Sequence, residues 1–292
     1  MESFFSFLEK RVDDCSSLLC VGLDPHIPDL MGPTAASALD FCLNLVKQTA
    51  PYAAAFKPNA AFFEVFGAEG WTALKLVIDA IAEESARMGS MIPVILDAKR
   101  GDIASTAEAY AKSAFEILGA HCITLSPYLG KDSIEPFIHN QEKGVFLLCK
   151  TSNPGSGDLQ DLTVDGGQWT VDGPSQSAVN GPRFMPLYEH VARLAQQWNT
   201  KNNIGLVVGA TYPEVLARVR AVAPDLWFLA PGVGAQGGDL ESALKAGLRK
   251  DGKGMLVNIS RSISHAEKPD LAAAEIRDQI LNIKRDLYRE AR

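Results

Sequence analysis

Eight short apolar runs recur along the chain, most of them separated by an amphipathic stretch of helical period. They are "LLCVGLD" (18–24), "AAAFKPN" (53–59), "MIPVILDAK" (91–99), "HCITLSP" (121–127), "GVFLLCKTS" (144–152), "NIGLVVGA" (203–210), "DLWFLAPG" (225–232) and "GMLVNISR" (254–261). Each is nearly continuous in Val, Ile, Leu and Cys rather than alternating, the mark of strands buried on both faces of a parallel sheet. Stretches such as "TALKLVIDAIAEESARM" and "TAEAYAKSAFEILG" supply the crossover helices. Eight strand-then-helix units predict an α/β fold of the (β/α)8 TIM-barrel type, with a doubly wound open sheet as the alternative. A length of 292 residues suits one such barrel domain over 1–292, since barrels of roughly 200–250 residues form single domains. Residues 270–291 read as a long final helix. The stretch 155–182, rich in Gly, Ser, Asp and Pro, has no helical period and reads as an extended loop, either functional or a solvated insertion.

The chain carries a net charge of −7 and no basic run, which speaks against nucleic acid or an anionic membrane as partner. The five cysteines are odd in number and form no C-x-x-C pair; Cys20 and Cys149 lie in apolar runs. Such usage points to buried thiols in a reducing, cytoplasmic setting. No apolar run approaches the roughly 18 residues of a membrane helix, and the opening "MESFFSFLEKR" does not read as a signal peptide. The histidines, His26, His121, His139, His190 and His265, are scattered without metal-ligand spacing and read as surface or satisfied core residues, so no metal is expected.

Barrel enzymes place their chemistry at the C-terminal ends of the strands. Polar residues collect there: Asp24 on the first, Lys57 and Asn59 on the second, Asp97 and Lys99 on the third, Thr151 and Ser152 on the fifth, Ser260 and Arg261 on the eighth. Asp97 and Lys99 are two apart, so strand alternation directs both to one face, where Lys57 of the neighbouring strand joins them. An acid between two cations in a place of low dielectric is either a catalytic array or a structural ion-pair network. Asp102 follows the flexible Gly101, and on sequence alone it reads equally as an N-cap for the next helix. "PGVGAQGGD" (231–239) is a glycine-rich turn before a helix, and "NISRSI" (258–263) follows the last strand. A glycine turn after strand 7 and an Arg after strand 8 match the phosphate site of many barrels.

The motif "LDAKRGDI" resembles the D-x-K-x-x-D signature of the orotidine 5′-phosphate decarboxylase family. "VGLDP" (21–25), "FKPN" (56–59), "KTSNPGS" (150–156), "PGVGAQGGD" and "NISRSI" occur in that family's order, and the chain resembles its longer bacterial subgroup. The resemblance implies a (β/α)8 homodimer that converts orotidine 5′-phosphate to UMP and CO2 without metal or organic cofactor. It implies that Lys57, Asp97, Lys99 and Asp102 form an alternating charge array, with Lys99 the proton donor. Asp102 would be contributed across the dimer interface, with Thr106 beside it near the ribose. Asp24 and Lys57 would hold ribose hydroxyls, with Asn59 and Pro231 at the substrate, and Ser152 would read the pyrimidine amide. Gln236 would bridge Ser152 and the phosphate, which Arg261 and backbone amides near Gly234 and Ser260 would bind. One position departs from the pattern: some members carry a phosphate-contacting Tyr two residues beyond the place of Gln236, where this chain has Gly238. Three other readings of the residues remain: a Schiff-base aldolase using Lys57 or Lys99, a metal-dependent sugar-phosphate decarboxylase, and a nucleotide-binding barrel without turnover. Carboxylates beside both lysines disfavour the first, because an imine lysine needs a lowered pKa.

Overall fold

A computed structural model of the chain describes residues 2–165, 169–170, 173–174, 184–233 and 238–289. All eight apolar runs are strands: β1 (Leu19–Leu23), β2 (Ala55–Pro58), β3 (Ile95–Arg100), β4 (Cys122–Leu125), β5 (Gly144–Lys150), β6 (Ile204–Val208), β7 (Phe228–Pro231) and β8 (Met255–Ile259). They form one parallel sheet in the order β2-β1-β8-β7-β6-β5-β4-β3. Its two ends meet through parallel bridges between Phe56 and Val94 and between Asn59 and Asp97. The result is a nearly closed barrel ringed by helices rather than an open sheet. Side chains of β1, β2, β4 and β6 are buried throughout, as unbroken apolar strands require.

The amphipathic stretches supply the outer layer. Gly67–Met88 is helical and ends on Gly89, whose φ of 66° suits a left-handed C-cap. Ala104–Lys112 is helical and widens into a π turn over Ser113–Ile117. Pro269–Arg289 is the long last helix. No helix of the described residues is long and apolar enough to cross a membrane.

The N-terminal helix, Phe4–Cys15, closes the barrel floor. Ser3 caps it by accepting from the Ser6 N–H at 3.2 Å. Phe5 stacks on Trp227 and meets Phe146 edge-on, with ring centroids 6.1 and 5.5 Å away. Gly144, first residue of β5, must be glycine, since a Cβ there would come 2.1 Å from the Phe4 ring. The floor is therefore packed solid, and the strand C-termini remain as the accessible mouth.

The 155–182 stretch is more ordered at its start than its composition predicts. A helical turn covers Gly157–Gln160, and Thr163–Asp165 pairs antiparallel with Phe184–Pro186.

Candidate active site

At the mouth, Asp97 of β3 stands between two lysines. Its Oδ2 accepts from Lys57 Nζ at 2.7 Å, and its Oδ1 from Lys99 Nζ at 2.6 Å. The side chains of Lys57 and Asp97 are 6% and 11% exposed, whereas that of Lys99 is 50% exposed. Burial by itself would discharge both inner groups. The facing charges outweigh it: Asp97, with Asp24 behind it, holds the Lys57 ammonium above its usual range, and Lys57 and Lys99 hold the Asp97 carboxyl well below its own. The buried Lys57–Asp97 pair is therefore kept charged on both sides.

The lysine and aspartate of β3 do converge, but strict alternation is not the cause. Lys99 has a φ of 48°, the left-handed region, and the β3–β4 register jumps between Leu96 and Arg100. Both backbone N–H groups of the break, Ala98 and Lys99, donate to Thr124 Oγ1 of β4, at 3.1 and 3.0 Å. The same hydroxyl donates to Asp97 Oδ1 at 3.0 Å.

The N-cap reading of Asp102 does not hold. The helix begins at Ala104 with Ile103 in the cap position and no side-chain cap, while Asp102 Oδ1 accepts from the adjacent Ile103 N–H at 2.9 Å. Local turn geometry, with Ala104 at a φ of 49°, displaces the cap by one residue. Neither Asp102 nor the exposed Thr106 lines the cavities that hold the triad and the candidate phosphate residues.

Two adjoining cavities make up the mouth. One, of about 410 Å³, is walled by Lys57, Asp97, Lys99, Thr124, Ser152 and Gln160. The other, of about 360 Å³, is walled by Asp24, His26, Asn59, Phe62, Ser260 and Arg261. Pro231 and Asn258 border both, so the two lie side by side. Asp24 Oδ1 and Asn258 Oδ1 are buried without a hydrogen-bond partner. Orphaned acceptors of that kind are costly unless a ligand supplies donors. Backbone approach shapes the walls as well. A Cβ at Gly22 would lie 2.9 Å from Ser260 Cβ, and one at Gly209 3.1 Å from Ser152 Cβ.

The two residues before Ser152 are held from the insertion side. Gln160 accepts from the Thr151 N–H and donates to Thr151 Oγ1, both at 2.9 Å, while Lys150 Nζ pairs with Asp161 at 2.6 Å. Among the candidate phosphate residues, Arg261 is exposed at the start of the turn Arg261–Ser264. Gly234 and Gln236 lie outside the described residues. Gly238 donates its N–H to the Gly232 carbonyl at 3.1 Å, and a Cβ at 238 would come within 2.6 Å of that oxygen. A tyrosine at 238 would therefore require the Gly232 carbonyl to shift.

Of the residues named from sequence, Asp24, Lys57, Asn59, Asp97, Lys99, Ser152, Pro231, Ser260 and Arg261 line this mouth. Sequence reading passed over Thr124, Asn258 and Gln160. The first two are the lone polar residues of otherwise apolar strand interiors, a signal available in the sequence; Gln160 carries none. His26, taken as surface or core, sits in the cavity wall with its ring 4.2 Å from that of Phe62. His121 is satisfied, its Nδ1 accepting from the Val94 N–H at 3.1 Å, but His190 Nδ1 is buried with no partner. All five cysteines are buried and free. Among the described residues, no group of three or more His, Cys, Asp or Glu is arranged to hold a metal ion.

Residues 17–276 match the family described as "Orotidine 5'-phosphate decarboxylase / HUMPS family". The orotidine 5'-phosphate decarboxylase of Roseiflexus castenholzii is 45% identical, over 95% of this chain and 97% of its own. The structure of Leishmania donovani OMP decarboxylase superposes with a TM-score of 0.81 at 51% identity, covering 97% of this chain and 99% of that one. Leishmania donovani UMP synthase gives 0.83 at 54% identity and covers 97% of this chain, but this chain spans only 57% of that synthase.

Proposed function

This chain belongs to the orotidine 5′-phosphate decarboxylase / HUMPS family, and we propose that its Lys57–Asp97–Lys99 array carries the decarboxylation of orotidine 5′-phosphate to UMP and CO2. The observation that carries the reading is a buried carboxylate held ionised between two ammonium groups at the barrel mouth. Loss of CO2 breaks the C6–carboxyl bond and leaves the electron pair on C6, in the ring plane, where the π-system stabilises it poorly. Large rate enhancements of such reactions require roughly 20 kcal/mol of differential stabilisation. An ammonium at Lys99, aimed at C6, stabilises the charge as it forms and then delivers its proton there. Lys99 is the most exposed of the three and can reach a ligand in the cavity, while Lys57 anchors Asp97 from behind. Asp97 faces the substrate carboxylate and is relieved of repulsion as CO2 departs. No step in this reading calls on a metal or an organic cofactor.

Ser152 reads the pyrimidine amide, Asp24 with Lys57 holds ribose hydroxyls beside Asn59 and Pro231, and Arg261 with Ser260 takes the phosphate. Gln236 and Gly234 complete that reading from the glycine turn. Phosphate binding lies far from the breaking bond, so its energy serves to order the site. The chain acts as a homodimer in which Asp102 and Thr106 reach the site of a second copy. Two features support this: neither residue lines the two mouth cavities of its own chain, and a second carboxylate would bring the array to neutrality, which lowers the cost of burying it. The chain forms one barrel domain; of the stretch 155–182 read as an extended loop, 166–168, 171–172 and 175–182 lie outside the described residues. Five unpaired thiols support a cytoplasmic setting.

The test follows the fall in pyrimidine absorbance when orotidine 5′-phosphate is added with a chelator present. Wild type turns over, and Lys99→Ala loses nearly all activity with an unchanged unfolding transition. Chelator-sensitive turnover, or near-normal turnover in Lys99→Ala, rejects the reading.

A further inference from the structure

β4 is apolar except for Thr124, which is 1% exposed. A hydroxyl offers one proton and two lone pairs, and here all three are committed. Thr124 Oγ1 accepts from the Ala98 and Lys99 N–H groups and donates to Asp97 Oδ1. Those two N–H groups cannot use a regular ladder, because β3 leaves its register with β4 at this point. Lys99 meanwhile holds a φ of 48°, a left-handed conformation that is unfavourable for a non-glycine residue. Such a conformation persists only where its surroundings over-determine it. Thr124 supplies that determination: it satisfies the N–H groups that the break leaves without ladder partners. Its single proton is directed at the same Asp97 oxygen that receives Lys99 Nζ at 2.6 Å.

We propose that Thr124 is the positioning residue of the array: one hydroxyl fixes both the backbone that aims Lys99 and the carboxylate that receives it. The proposal rests on the decarboxylase reading for its kinetic consequence, though not for its structural one. Only a group with one donor and two acceptor sites can serve, so Ser can replace Thr while the isosteric Val cannot. Val keeps the volume and orphans two N–H groups at once.

The experiment compares Thr124→Val and Thr124→Ser with wild type, measuring kcat and KM for orotidine 5′-phosphate, Kd for UMP, and crystal structures. Thr124→Val is expected to lower kcat about 100-fold or more, the scale of a donor misplaced by about 1 Å, with KM and the UMP Kd within about threefold. Its structure is expected to show Lys99 out of the left-handed region and separated from Asp97. Thr124→Ser is expected to stay within about fivefold of wild type in kcat. Equal kcat in Thr124→Val and wild type overturns the proposal. So does a parallel loss of kcat and UMP affinity, which marks a merely structural role, and so does a Ser variant as slow as Val. If Val does not fold, Thr124→Ala, which admits water, takes its place with the same criteria. If wild type binds UMP without decarboxylating, the functional reading fails by itself, and the position of Lys99 in the crystals decides the role of Thr124.

Discussion

Asp97→Asn tests how the array is balanced. Lys57 Nζ lies 2.7 Å from Asp97 Oδ2 with both side chains almost fully buried, whereas the Lys99 side chain is half exposed. At that distance and an effective dielectric near 20, opposite unit charges attract by about 6 kcal/mol. A half-exposed pair is worth at most about 1 kcal/mol. Stability therefore depends on the inner pair. Asn preserves shape but removes the charge, leaving Lys57 a buried ammonium with only Asp24 to offset it, a change that costs about 3–5 kcal/mol. Unfolding entropy of about 2.1 cal/mol/K per residue over 292 residues gives about 0.6 kcal/mol/K, so Tm should fall by about 5–8 °C at pH 7. The pH dependence follows from the Lys57 pKa. In wild type the folded pKa is raised, so its stabilisation is complete below about 10.4, the unfolded value, and is lost only as pH climbs through the folded one. In the variant burial wins and the folded pKa drops, so the deficit is largest at low pH and narrows as pH approaches 10.4. Scanning calorimetry at pH 7 and 9.5 measures both. Adding Lys57→Met removes the stranded charge and should recover most of the lost Tm. An unchanged Tm in Asp97→Asn, or a further fall in the double variant, refutes the reasoning.

Arg261→Ala should raise KM for orotidine 5′-phosphate by about 10- to 100-fold, the worth of a charge-assisted contact to phosphate, and also slow turnover; steady-state kinetics check it, and unchanged constants remove Arg261 from the site. His121 carries a pH signature of the fold itself. Burial, assisted by Lys143, lowers its pKa to about 4, and the Val94 N–H occupies the Nδ1 lone pair that a second proton would need. Folded below unfolded means that this stabilisation is complete above about 6.5 and is lost as pH falls towards 4, at most about 3 kcal/mol. Denaturant titrations at pH 7 and 4.5 should show that loss in wild type and its absence in His121→Gln; parallel behaviour of the two proteins rejects it. The contribution of Asp97, whose folded pKa is depressed, begins to be lost only as pH falls through the ordinary carboxylate range, so most of the His121 window lies above it.

The barrel was legible because its signal is local and repeated. A strand buried on both faces must be apolar at every position, so "LLCVG" and "NIGLVV" announce themselves without reference to neighbours. The same logic marked the mouth: Lys57 and Asp97 are conspicuous as charges placed where apolar runs end. The opening residues were less legible. "MESFFSFLEKR" carries only the expectation that it is not a signal peptide; that it plugs the floor follows from Phe5, Trp227 and Phe146 meeting from three distant parts of the chain. The ordered turn at Gly157–Gln160 escaped a period-based reading because one turn is too short to have a period.

Taken alone, the sequence determined the number and order of strands, the residue types at their ends and hence the kind of chemistry the mouth can carry, because burial and alternation act within a few neighbouring residues. Tertiary structure alone decided how those residues are aimed. Lys99 adopts a left-handed backbone because a hydroxyl on β4 takes up the N–H groups freed by the break. Asp24 and Asn258 keep unpartnered oxygens because barrel closure buries them at one junction. Position 238 has no room for a side chain as the backbone stands, because the carbonyl of Gly232 lies against it. Each of these depends on atoms brought together across the fold, and local pattern carries no record of a contact that the chain makes only once it has closed.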